Sequence, residues 1–337
     1  MKELPFRHLT GGAIALILLL VAGCGRSPQP EAQTPIPAPS EAPELVYRDI
    51  NLTETDNDGN VLWKLEADIA EYEQDGFQAS LQTVEGEFYD PEGKAITVSA
   101  EGGRVLPREK RLELSGTVEA VAEPLSLALS ADKIEWRPED NKLAAIGNVI
   151  VRQTERQIEM KGDRLDADLS TNYLRLSLDP PDTSTSEPDA SAPDEAAAEP
   201  PAIVITSVDP PLDVTTQIVE WDTVTDVVRS SGGVVITHRE QEVTFRGKSL
   251  TYELASQTAT LEGEVKAVAI DRAELEADRV QWDVNEELAI ATGNVFYKQS
   301  GAENLTVRGQ KGTADLRTNT IALEGAGSQV TTQFTLP

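Results

Sequence analysis

Ala131-Asp132-Lys133-Ile134-Glu135-Trp136, then Pro138-Glu139-Asp140-Asn141, then Ala145-Ile146-Gly147-Asn148-Val149, is the stretch whose reading decides the fold. Ile134 and Trp136 alternate with charged residues, as on a strand with one face turned inward. The Pro, Asp and Asn that follow are turn formers, so the chain reverses into a second strand carrying Gly147 and Val149. The same order returns in Thr216 to Trp221 before Gly233-Val234-Val235, and in Ala277 to Trp282 before Gly293-Asn294-Val295. Further copies of the glycine strand are Gly116-Thr117-Val118 and Gly263-Glu264-Val265, with Gly86-Glu87-Phe88 a weaker one, at a spacing of roughly thirty residues. A two-strand unit of this size cannot close a core by itself and must stack on its neighbours.

Alternation with period two runs through Leu112, Leu114, Gly116, Val118 and Ala120, and again through Leu261, Gly263, Val265, Ala267 and Ala269. The repeats show no i, i+3, i+4 apolar stripe of the kind a helix needs, so the mature chain reads as all-β. Parity changes between Leu127, Leu129 and Ile134, Trp136, which predicts a bulge or kink near Ala131-Asp132. The repeated glycine reads as a bend or close backbone approach; the alternative is a hairpin-turn glycine.

Lys2 and Arg7 precede an apolar run from Leu9 to Val21, which ends at Ala22-Gly23-Cys24. This has the layout of a secretion signal over residues 1–24, and Leu20-Val21-Ala22-Gly23-Cys24 resembles the lipobox of bacterial lipoproteins. That resemblance makes Cys24 the lipidated first residue of the mature chain. Cys24 is also the single cysteine, so no intramolecular disulfide can form and stability must come from packing. Gly25 and Arg26 follow it, so the aspartate associated with inner-membrane retention in some bacteria is absent.

A net charge of −29 argues against nucleic acid, whose phosphates are bound by Lys and Arg. Part of the excess sits in two Pro-, Ala- and Glu-rich segments, a linker at 25–45 and an acidic stretch at 179–202, which offer little to bury. They leave a block at 46–178 and a block at 203–334. Two similar tandem domains are expected; the alternative is one stack with an acidic loop inserted in it.

His238 is the only histidine beyond the signal, so histidine-based triads and multi-histidine metal sites lack their parts; it is expected at the surface, at a strand end. The carboxylates mostly alternate with apolar residues on solvated strand faces, although a carboxylate pair like that of a glycosidase is not excluded by residue type. Asp68, Asp132, Asp278 and Asp315 flank strands and form no dense calcium-binding pattern. Neither a phosphate loop nor a dinucleotide fingerprint is present, and no cofactor or metal is implied.

The paired strands, above all Ala131 to Val151 and Ala277 to Tyr297, with Gly162 to Asp168 and Gly312 to Leu316 following them, resemble the OstA-like family. That family includes the periplasmic lipopolysaccharide-export proteins LptA and LptC. The resemblance implies a partly open antiparallel β-jelly-roll, two sheets folded over each other, with an apolar interior that receives lipid acyl chains. On that implication the candidate trough residues are Val118, Ile134, Val149, Val151, Ile218, Val235, Val265, Val280 and Val295. Each is equally readable as ordinary core. Lipidation and a doubled block look more like LptC than the soluble LptA, although LptC ordinarily has a transmembrane helix and one β domain. The partners so implied are lipopolysaccharide, the LptB-LptF-LptG inner-membrane transporter and an LptA-like bridge protein. The bridge would be reached by strand pairing, with the terminal strand near Ile321 to Phe334 as a candidate edge. The expected place is the periplasm, anchored to a membrane, the inner one favoured. The rival reading is a structural or adhesive β-repeat lipoprotein with a solid core.

Overall fold

The computed structural model describes residues 45–73, 78–89, 93, 95–178, 202–269, 273–299, 305–318, 320–325 and 332–335. The expected signal peptide, Cys24, nearly all of the first linker and residues 179–201 of the acidic stretch lie outside the described residues.

The described residues are almost wholly strand and form one antiparallel sheet. The first eight strands are β1 (Leu45–Thr55), β2 (Val61–Tyr72), β3 (Ala79–Tyr89), β4 (Ala95–Leu106), β5 (Arg111–Ala122), β6 (Leu127–Arg137), β7 (Lys142–Gln153) and β8 (Ile158–Asp168). Four short strands follow: β9 (Tyr173–Ser177), β10 (Ile203–Ser207), β11 (Leu212–Thr216) and β12 (Ile218–Asp222). Long strands then resume as β13 (Val227–His238), β14 (Val243–Glu253), β15 (Thr258–Ala269), β16 (Ala273–Asp283), β17 (Leu288–Gln299) and β18 (Leu305–Asp315), before β19 (Thr320–Glu324) and β20 (Thr332–Thr335). The turn read from Pro138 to Asn141 is a single 3-10 turn, closed by the Asn141 N–H donating to the Pro138 carbonyl at 3.1 Å.

The glycine strands β5, β7, β13, β15 and β17 each carry a bulge, whereas Gly86 of the weaker copy on β3 stands in regular pairs with Leu65 and Val98. On β7, Gly147 and Asn148 together stand against one residue, Asp163, between the pairs Ile146–Arg164 and Val149–Gly162. Gly147 has φ +77° and Asn148 φ +47°, and a Cβ on Gly147 would lie 2.5 Å from Oδ2 of Asp132. Only glycine fits there without strain. Asn148 Nδ2 donates to that same Asp132 oxygen at 2.8 Å, and Asn294 repeats the bond to Asp278 at 2.8 Å. Thr117 with Glu101 and Lys248 with Glu264 occupy the same place in other copies, always sixteen residues apart. Parity does change on β6 between Ala131 and Ile134, as expected, but the extra residue belongs to the facing glycine strand.

Two inward assignments need correcting. Val235 and Ile218 are only half-buried, whereas Val234 and Val219 are buried. On β13 the bulge is Gly232-Gly233, between the pairs Ser231–Ser249 and Val234–Gly247, so the true copy of Gly-x-Val is Gly232-Gly233-Val234. On β12 the inward residue is the one two places before Trp221, which is Val219.

The two blocks do not form two separate sheets, contrary to the tandem arrangement expected first. β8 pairs with β9 along Arg164–Asp168 and with β10 along Ile158–Lys161, so β9 and β10 share one strand position. β12 and β11 share the next, pairing with the two halves of β13. By register Ser177 stands where Ile146 stands on β7, and Ile203 where Val149 stands. Residues 178–202 therefore replace the two-residue bulge of an ordinary glycine strand. An insertion is tolerated there because the ladder is already broken at a bulge.

The sheet folds over at the bulges. Register places Phe88 at the strand ends shared with Leu127, some nine residues from Trp136, and a flat sheet would hold them about 30 Å apart along the strands. Their rings instead stack at 5.6 Å between centroids, and Phe245 stacks on Trp282 at 5.4 Å. Each long strand thus contributes one half to each of two facing layers. The apolar residues between the layers form two clusters, one running from Trp63 to Trp221 and including Leu254, and one from Leu212 to Leu323. Both clusters touch Ile205 and Tyr252.

Candidate functional site: an apolar cavity between the sheet layers

Where the two core clusters meet, the layers enclose a cavity of about 340 Å³. One wall is a row of paired residues, Trp221–Val228–Tyr252–Ala259–Trp282, running across β12, β13, β14, β15 and β16. The facing wall is Met160–Ile205–Val214–Ile236, across β8, β10, β11 and β13. Side-chain size accounts for the gap. Phe245, third residue of β14, stacks on the Trp282 ring two strand positions further on. Met160 is the third residue of β8 and Trp221 lies two strand positions further on, so a flexible thioether stands where the other copy has a ring. A volume of this size falls in the range of ligand pockets, and its lining is mainly apolar, as in sites that take hydrophobic ligands.

The wall carries three polar atoms without a hydrogen-bond partner among the described residues: Oγ of Ser230 and Nε1 of Trp221 and of Trp282. Burying a hydroxyl unpaired costs about 1–3 kcal/mol. Burial also pushes the Tyr252 hydroxyl above its ordinary pKa, with the nearby Arg156 opposing it.

The strand ends opposite the bulges form a slit, and charged turns line the cavity there: Glu155, Arg156 and Gln157 after β7, Asp209 and Pro210 after β10, Gln257 after β14. Arg156 reaches across to Asp226, in the turn after β12, with Nη2–Oδ2 at 2.6 Å and Nη1–Oδ1 at 3.3 Å. Further along, Gln241 Nε2 donates to Glu287 Oε2 at 3.1 Å across the same slit. At the N-terminal strands a separate cleft of about 940 Å³ lies between the Asp56–Asn60 turn and Lys110, Pro138 and Asn141.

His238 is buried, 7 % exposed, rather than at the surface as expected. Its Nδ1 accepts from the Gln241 N–H at 3.1 Å and its ring lies 5.8 Å from that of Trp282. Burial lowers its pKa; Glu240 and Glu287 oppose that and Arg239 adds to it. His238 therefore closes a turn beside the aromatic wall.

Val118, Ile134, Val149, Val151, Val265, Val280 and Val295 are all buried in the core, and none of the nine sequence candidates lines the cavity. The residues that do line it were missed because they occupy the copies in which the repeat departs from itself. Ser230 is the legible example. Two places before the bulge, β5, β7, β15 and β17 carry Leu114, Ala145, Leu261 and Ala291, and β13 alone among these carries a hydroxyl. Among the described residues no group of His, Cys, Asp and Glu could hold a metal ion, and no helix is long and apolar enough to cross a membrane.

A folded-over antiparallel sheet of bulged strand pairs with an apolar interior defines a β-jelly-roll. The profile of the lipopolysaccharide-assembly, LptC-related family matches residues 12–188, more than half of the chain, and the chain belongs to that family. Its part in lipopolysaccharide transport follows from that membership. No curated protein matches the chain. The crystal structure of LptH, the LptA homologous periplasmic component of the conserved lipopolysaccharide transport device from Pseudomonas aeruginosa, aligns over 53% of this chain and 97% of its own. The identity is 11% and the TM-score 0.22.

Proposed function

We propose that this chain is a periplasmic, membrane-anchored lipoprotein, lipidated at Cys24, that holds lipopolysaccharide acyl chains between its sheet layers. The observation that carries the reading is an apolar cavity of about 340 Å³ opening onto a slit, in a chain of the LptC-related family. Acyl chains need apolar area rather than directed groups, and each buried methylene contributes about 0.8 kcal/mol, so a carrier requires no catalytic residue. The ligand is received from the LptB-LptF-LptG transporter at the inner membrane and passed to an LptA-like bridge. Strand pairing at the sheet edges supplies the contacts. Among the described residues β1 pairs only with β2 and β20 only with β19, and β1 exposes Leu45, Val46 and Tyr47.

Photo-crosslinking residues placed at Met160 and Val228 in cells should capture lipopolysaccharide, while one at the outward-facing Glu262 should not. Equal capture at all three, or capture at none beside a working control protein, removes the carrier reading.

A further inference from the structure

We infer that the cavity selects acyl chains carrying a hydrogen-bond-accepting oxygen along their length, with Ser230 as the residue that reads it; the inference rests on the acyl-chain reading above. Three observations lead there. First, Ser230 is 2 % exposed, lines the cavity, and its Oγ has no partner among the described residues. Secondly, the repeat gives the reference state: the equivalent residues on β5, β7, β15 and β17 are Leu114, Ala145, Leu261 and Ala291, all buried. The hydroxyl stands in the copy that borders the cavity. Thirdly, Trp221 and Trp282 line the same cavity and carry buried indole N–H groups without a partner among the described residues, Trp221 being a diagonal neighbour of Ser230 through the pairs Val219–Ser230 and Trp221–Val228.

The chemistry of these groups narrows the ligand. An indole N–H only donates, and a serine hydroxyl donates or accepts, so an atom that satisfies them must accept. A plain hydrocarbon chain would leave every one of them unpaired, whereas a hydroxyl or carbonyl oxygen on the chain would pair with at least one. Trp136 also has an unpaired Nε1 while stacked on Phe88 away from the cavity, so the indoles are common to the repeat and Ser230 is the distinguishing group.

The test uses the full mature chain with Cys24→Ser, a fluorescent fatty acid as displaceable probe, and three competitors: tetradecanoic acid, its monohydroxy derivatives and its oxo derivatives. The expected result is that the best oxygen-bearing competitor displaces the probe about fivefold to tenfold better than the plain acid, the factor one hydrogen bond supplies. Ser230→Ala should bring that ratio close to one, and Ser230→Thr should keep it. Melting curves verify that both variants fold. Hydroxy and oxo competitors should both gain, since either oxygen accepts; a gain confined to the hydroxy acids would overturn the accepting requirement. If the plain acid displaces the probe as well as its derivatives do, or Ser230→Ala leaves the ratio unchanged, the selectivity is overturned while the carrier reading stands. If neither kind of acid binds, both fall.

Discussion

The guanidinium of Arg156 clasps the carboxylate of Asp226 across the slit, seventy residues away in sequence, with its shorter contact at 2.6 Å. The pair is partly exposed, so its contribution to stability is small, about 0–1 kcal/mol. Its position matters more, because Arg156 lines the cavity and Asp226 belongs to the opposite row of turns. Arg156→Ala and Asp226→Ala should each speed release of a bound fluorescent fatty acid several-fold, with the melting temperature nearly unchanged. Stopped-flow dissociation in low and high salt checks this: high salt should accelerate the wild type toward the variants.

Met160→Phe should fill the cavity. The facing wall then gains a ring where Phe245 packs on Trp282 in the other copy. Probe affinity should fall about tenfold or more while the urea midpoint holds or rises, since filling a void adds contacts. An unchanged affinity would show that ligand binds elsewhere.

At the bulge, Gly147→Ala should cost about 1–3 kcal/mol, from the left-handed backbone and the collision with Asp132. Asp132→Ala should recover part of that loss in the double variant, because the side chain it removes is the one the new methyl meets. Urea denaturation of the four proteins measures the coupling.

Stability should fall as the pH drops below about 6.5, the ordinary histidine value. Burial holds the folded His238 below that value, so the unfolded chain binds the extra proton first. The stabilisation is complete above the unfolded value and is lost as the pH falls toward the folded one, at no more than about 1.4 kcal/mol per pH unit for one proton. His238→Gln should flatten the urea midpoint between pH 7.5 and about 5.5. A second decline in more acid solution belongs to the carboxylates held below their usual range, among them Asp168 with its Ser170 and Lys142 partners and Glu135 and Glu159 beside their lysines, and the variant should leave it in place.

Replacing residues 178–202 by Gly-Asn should give a folded chain with one cooperative transition. It restores the length that Gly147-Asn148 has between Ile146 and Val149, and closing a shorter loop should stabilise by about 2 kcal/mol. Loss of folding would mean that β9 and β10 do not share one strand position.

Much of the fold was legible because it is local and repeated. Ile134 and Trp136 on one parity, Gly147 two before Val149, and turn formers between them specify a bulged strand pair wherever they recur. The misplaced residues have equally local causes. Two consecutive glycines on β13 concealed which one opens the bulge, and anchoring the parity on Trp221 would have selected Val219 and Val234. The cavity was not legible, because it arises where the copies differ: Met160 in place of a ring, and Ser230 in place of an aliphatic residue.

By itself the sequence determined the strand pairs, the turns between them and most of their inward faces, because period-two burial is imposed by neighbours a few residues away; the ladder decided that the bulge lies on the glycine strand. Only the tertiary structure decided that β9 and β10 complete a single strand position around the acidic stretch. It also decided that Phe88 meets Trp136, that Arg156 meets Asp226, and that the layers part between Met160 and Trp221. Those contacts depend on how far the stack folds over and which strand ends come to face each other, and that geometry is set by the summed packing of the two layers rather than by any one segment.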